Sequence, residues 1–177
     1  MNIVPALSRS RSGRASGFTL IELMISITVM AILLVVVAPG LAGFVRTSKV
    51  RSAQSELVGS LRLARSEATK RGVSVGVAAT APVAGDEFGA GWKVWVDDNE
   101  DGVFTAGETI VRDYPGFTGS VRLGVSAGAA PVLFRPTGFA TAAISFKVCG
   151  MSDTTKGYTV ALQRVGMTDL IEGVTCP

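Results

Sequence analysis

The chain has 177 residues, room for one ordinary domain plus a further segment, with 47% hydrophobic residues and a mean hydropathy of +0.42. It contains no histidine, so the commonest general base and the commonest metal ligand are both missing; with no assembled nucleophile motif, the composition argues against an enzyme. The formal charge of +3 is uneven: residues 1–17 hold Arg9, Arg11 and Arg14 and no acid, residues 18–80 hold seven Lys/Arg against three Asp/Glu, and residues 81–177 hold seven against eleven, an acidic part that suits nucleic acid poorly.

Residues 1–17 are basic, polar and rich in Ser and Gly. The apolar block comes next, from Phe18 to Ala38, and at ~1.5 Å per residue its 21 residues span ~31 Å, close to the ~30 Å hydrocarbon core of a bilayer. Arginines ahead of the span place the leader in the cytoplasm and the residues beyond the span on the far side of the membrane. An ordinary signal peptide carries its small-residue cleavage site after the apolar run. Here the small residue, Gly17, stands before it, so cleavage there retains the hydrophobic segment.

The order Gly17-Phe18-Thr19-Leu20-Ile21-Glu22 resembles the prepilin signature of type IV pilins and type II secretion pseudopilins. The resemblance implies cleavage between Gly17 and Phe18 by a prepilin peptidase and N-methylation of Phe18. Glu22 stands out on physical grounds as well, because a carboxylate inside a membrane helix costs roughly 2.5–3.5 kcal/mol and calls for a reason. Cleavage creates an α-amine on Phe18 one turn away, and in a polymer the amine of one subunit can neutralise Glu22 of another; the family assigns this role to the matching glutamate. The bland alternative is a glutamate snorkelling to the headgroups.

Pro39-Gly40 comes directly after the span, where a proline is expected to kink or locally melt a helix, or to stop it. In pilins a proline here permits partial unwinding during assembly. From Arg46 to Arg71 the pattern becomes amphipathic, with Val50, Ala53, Leu57, Leu61, Ala64 and Ala68 forming one apolar stripe, and Lys70-Arg71-Gly72 giving a C-terminal signal. The stripe fits a helix packed on a sheet. Leu63-Ala-Arg-Ser-Glu-Ala-Thr-Lys-Arg-Gly72 resembles a segment of the FimT/GspH family of minor pilins.

After Gly72 come short β runs, expected at Val73–Ala79, Trp92–Val96, Thr109–Arg112, Ser120–Val125, Val132–Arg135, Ile144–Val148 and Tyr158–Gln163. One long helix and then a series of strands makes the expected fold α+β, pilin-like, with a leader over 1–17, a transmembrane and polymerisation helix over 18–45, its amphipathic half over 46–72 and a β-rich head over 73–177. Gly91-Trp-Lys-Val-Trp-Val-Asp97 and Phe134-Arg-Pro-Thr-Gly138 resemble further segments of the same family.

Asp97 to Glu108 fits the EF-hand pattern D-x-N-x-D-G-x5-E. Asp97, Asn99, Asp101 and Glu108 offer side-chain oxygens, Val103 a carbonyl and Gly102 the sharp turn, so calcium is one reading. The β runs on either side favour the other reading, an acidic hairpin tip. No other cofactor is expected. Cys149 and Cys176 are an even pair in a segment expected to be exported, and are expected to form a disulfide.

The resemblance implies a non-catalytic subunit that helps initiate or cap a type IV pilus, with other minor and major pilins, a prepilin peptidase and an inner-membrane assembly platform as partners. A minor pseudopilin of type II secretion is the alternative of the same fold. A third reading is a DNA-binding pilin for transformation, as some relatives use a C-terminal Gly-Arg-x-Arg stretch. Here that region has Arg164 but no such stretch, and Asp169 and Glu172 lie close by.

Overall fold

A computed structural model describes residues 17–117, 119–151 and 157–176, with residues 36–42 described by backbone alone. The chain divides into two compact units between Leu41 and Ala42. One helix, α1 (Leu20–Arg71), includes Pro39 and Gly40, so the helix does not stop at the proline. It starts behind Thr19, whose Oγ1 accepts a hydrogen bond from the Glu22 N–H at 3.2 Å; Thr19 and Glu22 thus occupy the two ends of a T-x-x-E capping sequence. It ends where Gly72 N–H bonds to Ala68 O and Arg71 Nε reaches Glu67 at 2.7 Å.

Among the described residues the second unit contains eight strands: β1 (Val75–Ala79), β2 (Gly91–Val96), β3 (Ile110–Pro115), β4 (Val121–Ala127), β5 (Val132–Phe134), β6 (Ile144–Gly150), β7 (Gly157–Leu162) and β8 (Thr168–Val174). They form two four-stranded antiparallel sheets, ordered β3-β2-β1-β5 and β4-β6-β7-β8. The fold is α+β, as expected. The seven expected strands are all present with shifted ends, and the eighth, β8, was not expected. Its seven residues are exposed or half-buried throughout, so it lacks the apolar alternation by which a strand is recognised.

The expected helical stripe is buried. Val50, Ala53, Leu57, Leu61, Ala64 and Ala68 form one hydrophobic cluster with Val75, Val77, Trp92, Val94 and Phe134 of the first sheet and Leu123, Phe146, Val148, Val160 and Leu162 of the second. Ser60 is buried on the same side, its hydroxyl donating to Leu57 O at 2.8 Å. Phe88 bridges the sheets, edge-on to Phe146 at 5.2 Å and beside Trp92, which stacks on its cross-strand neighbour Tyr114 at 5.1 Å.

Two local devices complete this unit. Trp95 is fully buried yet lies outside the main cluster, against the backbone of its register partner Gly76 and edge-on to Phe104. A Cβ on Gly76 would overlap the Trp95 ring. The loop between β1 and β2 covers the outer edge of β4: Asp86 Oδ1 accepts from Leu123 N–H, Glu87 Oε2 from Val125 N–H, both at 2.7 Å, and Phe88 N–H donates to Leu123 O. Backbone groups that an edge strand ordinarily leaves open are satisfied there.

Burial alone would raise the Glu87 pKa, but the N–H bonds from Val125, Gly85 and Glu87 itself together outweigh it and hold the carboxyl below its ordinary value. A depressed carboxylate stabilises the fold above the ordinary glutamate range and loses that contribution as pH falls through the folded-state value. Glu87→Gln should therefore lower stability at neutral pH, by about 1 kcal/mol or less because solvent screens a partly exposed carboxylate. The gap between variant and wild type should close in acid, as read by denaturant melts across pH. Gly76→Ala should cost about 1–3 kcal/mol by overpacking at every pH.

Candidate functional site

The N-terminal segment is an apolar surface with one charge in it. Gly17 and Phe18 precede the helix, and Phe18 is 80% exposed. Every described side chain from Leu20 to Val35 is exposed, including Ile21, Met24, Ile25, Leu33 and Val35. A helix apolar on all sides finds its stable surroundings among other helices or lipid tails. Glu22 sits in the first turn of this helix and is its acidic residue there. The first turn also presents unsatisfied N–H groups, so a negative charge at this end is favoured by the helix dipole as well as by the cap. Thr19 caps this turn, a structural role that the T-x-x-E spacing carries in the sequence.

Among the described residues no helix is long and apolar enough to cross a membrane. The span expected over 18–38 does not fall wholly on described side chains: these run from Phe18 to Val35, and residues 36–38 are given by backbone only. Pro39 lies in the same backbone-only stretch, inside α1. The leader residues before Gly17 lie outside the described residues.

At the opposite end of the chain, Cys149 of β6 and Cys176 are joined by a disulfide with Cα atoms 5.8 Å apart. The crosslink fastens the chain just past β8. That strand needs fastening, since it buries little of its own surface. Its other holds are its pairing with β7, the turn in which Gly166 N–H donates to Gln163 O, and a hydrogen bond of 3.0 Å from Arg65 Nη1 to Gly166 O. Arg164 occupies that turn and its carbonyl accepts from Ala140 N–H. Asp169 bonds to the Gln163 side chain.

The acidic segment joins β2 to β3, and the structure brings together three of its five expected ligands. Carboxylate oxygens of Asp97, Asp101 and Glu108 lie within 4.8 Å of one another. Asn99 points its amide at Asp101 Oδ2, 2.9 Å away, and its own Oδ1 accepts from Asp101 N–H. Val103 donates its N–H to Asp101 Oδ1 at 2.8 Å. Gly102 takes the expected left-handed conformation, φ +76°, with its N–H directed at Asp97 Oδ1.

A groove of about 390 Å³ was not legible in the sequence. It runs between Arg46, Val50 and Arg51 of the helix and, facing them, Met151 just past β6, Tyr158 of β7 and Glu172 of β8. Arg51 Nε donates to the Tyr158 hydroxyl at 3.2 Å across it. The groove brings together residues more than a hundred positions apart in the chain, and sequence spacing carries no trace of it.

A family model described as type II transport protein GspH matches residues 53–166, and one described as the prokaryotic N-terminal methylation motif matches residues 12–38. No curated protein sequence matches significantly. Among solved structures, the type IV minor pilin FimU of Pseudomonas aeruginosa is similar in two crystal forms. One has a TM-score of 0.56 at 21% identity over 72% of this chain and 99% of that one; the other has 0.59 at 20% identity over 76% and 99%. The minor pseudopilin EpsH of the type 2 secretion system of Vibrio cholerae gives 0.48 at 14% identity over 69% and 95%. At these identities the FimU likeness is one of fold.

The crosslink carries a direct prediction. Replacing Cys149 and Cys176 by serine should lower stability by ~3–4 kcal/mol in the chain-entropy model for a loop of this size. Thiol labelling of the folded, unreduced protein should find no free cysteine. Two reactive thiols in that experiment would remove the crosslink from the account of β8.

Proposed function

Since this chain belongs to the GspH family of type II transport proteins, we propose that it works as a minor type IV pilin, a non-catalytic subunit that helps to initiate or cap a filament together with other minor pilins. The observation that carries the reading is the exposed apolar start of α1 with Glu22 in its first turn, directly behind Gly17 and Phe18 and inside the matched methylation motif. On this reading a prepilin peptidase cuts between Gly17 and Phe18, the new amine of Phe18 is methylated, and the helix is held in the inner membrane with the β-rich unit outside the cytoplasm. An uncompensated carboxylate in hydrocarbon costs roughly 2.5–3.5 kcal/mol, and that cost is relieved when the Phe18 amine of a neighbouring subunit meets Glu22. The pairing converts an insertion penalty into a register signal for polymerisation. Pro39 supplies a point at which the helix can loosen as it leaves the membrane for the filament.

A second reading, a minor pseudopilin of type II secretion, is favoured by the description of the matched family model. Both readings use the same segment in the same way and differ in the assembly that receives it. Deletion of the gene separates them: loss of surface pili with normal protein secretion supports the pilin, and the reverse outcome supports the pseudopilin.

Two outcomes test the shared mechanism. Intact mass of the membrane-extracted protein should correspond to a chain starting at methylated Phe18; a mature chain still carrying Arg14 would rule out this processing. Glu22→Val should insert in the membrane at least as well as wild type but be lost from sheared filaments. Wild-type incorporation of that variant would count decisively against the pairing.

A further inference from the structure

The strand-flanked segment from Asp97 to Glu108 gathers acidic groups in a way that its role as a connection does not explain. Three carboxylates are drawn within 4.8 Å of one another. Asp97 is only 3% exposed, and among the described residues its carboxylate takes a single hydrogen bond, a long one of 3.4 Å from Gly102 N–H to Oδ1. Glu108 Oε1 is shut off from solvent and has no hydrogen-bond partner, while Oε2 is held by Thr105 N–H at 2.7 Å. Among the described residues no lysine or arginine pairs with any of the three; the ion pairs present join Glu67 to Lys70 and Arg71. Like charges at this separation repel, and withdrawing one of them from water adds a desolvation cost. A bound cation removes both penalties at once.

We propose that this segment binds one calcium ion, with Asp97, Asp101 and Glu108 as its carboxylate ligands. The donor set is oxygen only, without histidine or cysteine, which excludes the softer transition metals. An ion with ligand distances of about 2.3–2.6 Å fits among oxygens that lie up to 4.8 Å apart, since opposite ligands of such an ion are separated by roughly twice that bond length. Magnesium demands shorter, octahedral bonds and sheds water reluctantly, so a flexible loop of this kind selects the larger ion. Asn99 and the Val103 carbonyl stand at the third and seventh positions of the ligand order and complete the shell when Asn99 Oδ1, which now accepts from Asp101 N–H, rotates to face the ion.

The ion has a mechanical consequence. Phe104 lies in the middle of the segment, edge-on to Trp95 at 5.8 Å and 78°, with Lys93 Nζ 4.6 Å from its ring centre. Fixing the segment fixes Phe104 as the cover of Trp95 on the face of the first sheet turned away from the core. Loss of the ion releases the cover, so tryptophan emission reports occupancy.

The test uses the full chain in detergent, stripped with a chelator and titrated with calcium chloride or magnesium chloride under calorimetry and tryptophan fluorescence. Calcium should saturate one site in the range of about 10⁻⁴–10⁻³ M found for extracellular modules, with magnesium at least roughly ten-fold weaker. Asp101→Asn and Glu108→Gln should each abolish the calcium signal. Asp98→Asn, a neighbouring acid that bonds Thr109 and lies outside the ligand order, should leave it intact. Asp101 is exposed, so its variant tests ligation with little disturbance to packing; circular dichroism confirms that it is folded. Absence of heat and fluorescence change up to about 10 mM calcium, a range that covers even the weakest such modules, overturns the proposal. So does calcium binding by Asp101→Asn equal to wild type, or magnesium binding as tight as calcium.

Discussion

The head depends on one buried seam, the stripe from Val50 to Ala68 on α1, which shares a single hydrophobic cluster with both sheets. Three of its residues are alanines, and the buried Ser60 turns its hydroxyl back onto its own helix. Small side chains let a helix approach a sheet closely, and a hydroxyl satisfied within the helix adds no unpaired polar group to the core. Phe88, Trp92, Phe134 and Phe146 fill the space that the alanines leave. The stripe and the bridging Phe88 share one core with the apolar residues of both sheets.

Around that seam the fold deals with its open edges by two different kinds of chemistry. On β4 the carboxylates of Asp86 and Glu87 take the place of a neighbouring strand, accepting from the Leu123 and Val125 N–H groups. These are charge-assisted bonds, stronger than the neutral ladder bonds they imitate. At β8 the device is covalent: Cys176 lies just past the strand and is tied to β6. Noncovalent holding serves where the loop is already anchored by buried Phe88, and a crosslink serves where burial is slight.

The N-terminal part of α1 obeys the opposite logic. The head hides its apolar residues inside its own chain, whereas Phe18 and the helix from Leu20 to Val35 leave theirs exposed, with a carboxylate at the first turn. An apolar surface of that kind is a demand for apolar neighbours, and the one charge within it stands at a helix start that Thr19 caps.

The sequence by itself determined the features that depend on near neighbours along the chain. The order Gly17, Phe18, Glu22 ahead of an apolar run, the stripe at three- and four-residue spacing, and the acidic spacing from Asp97 to Glu108 are all linear patterns. Helical periodicity is local, so the buried stripe was legible residue for residue. The inward-facing strands were legible because burial on one side imposes alternation. β8 was not, because an edge strand exposed along its length carries no such pattern and is recruited by the β7 turn, Arg65 and the disulfide. Tertiary structure alone decided that β4 leaves the first sheet for the second while β5 returns, that Gly76 lies beneath Trp95, and that three carboxylates of one loop converge. The first two are contacts between segments chosen by the fold as a whole, with a free energy shared among residues far apart in sequence; the third is local, and the strands on either side of the loop set its closure.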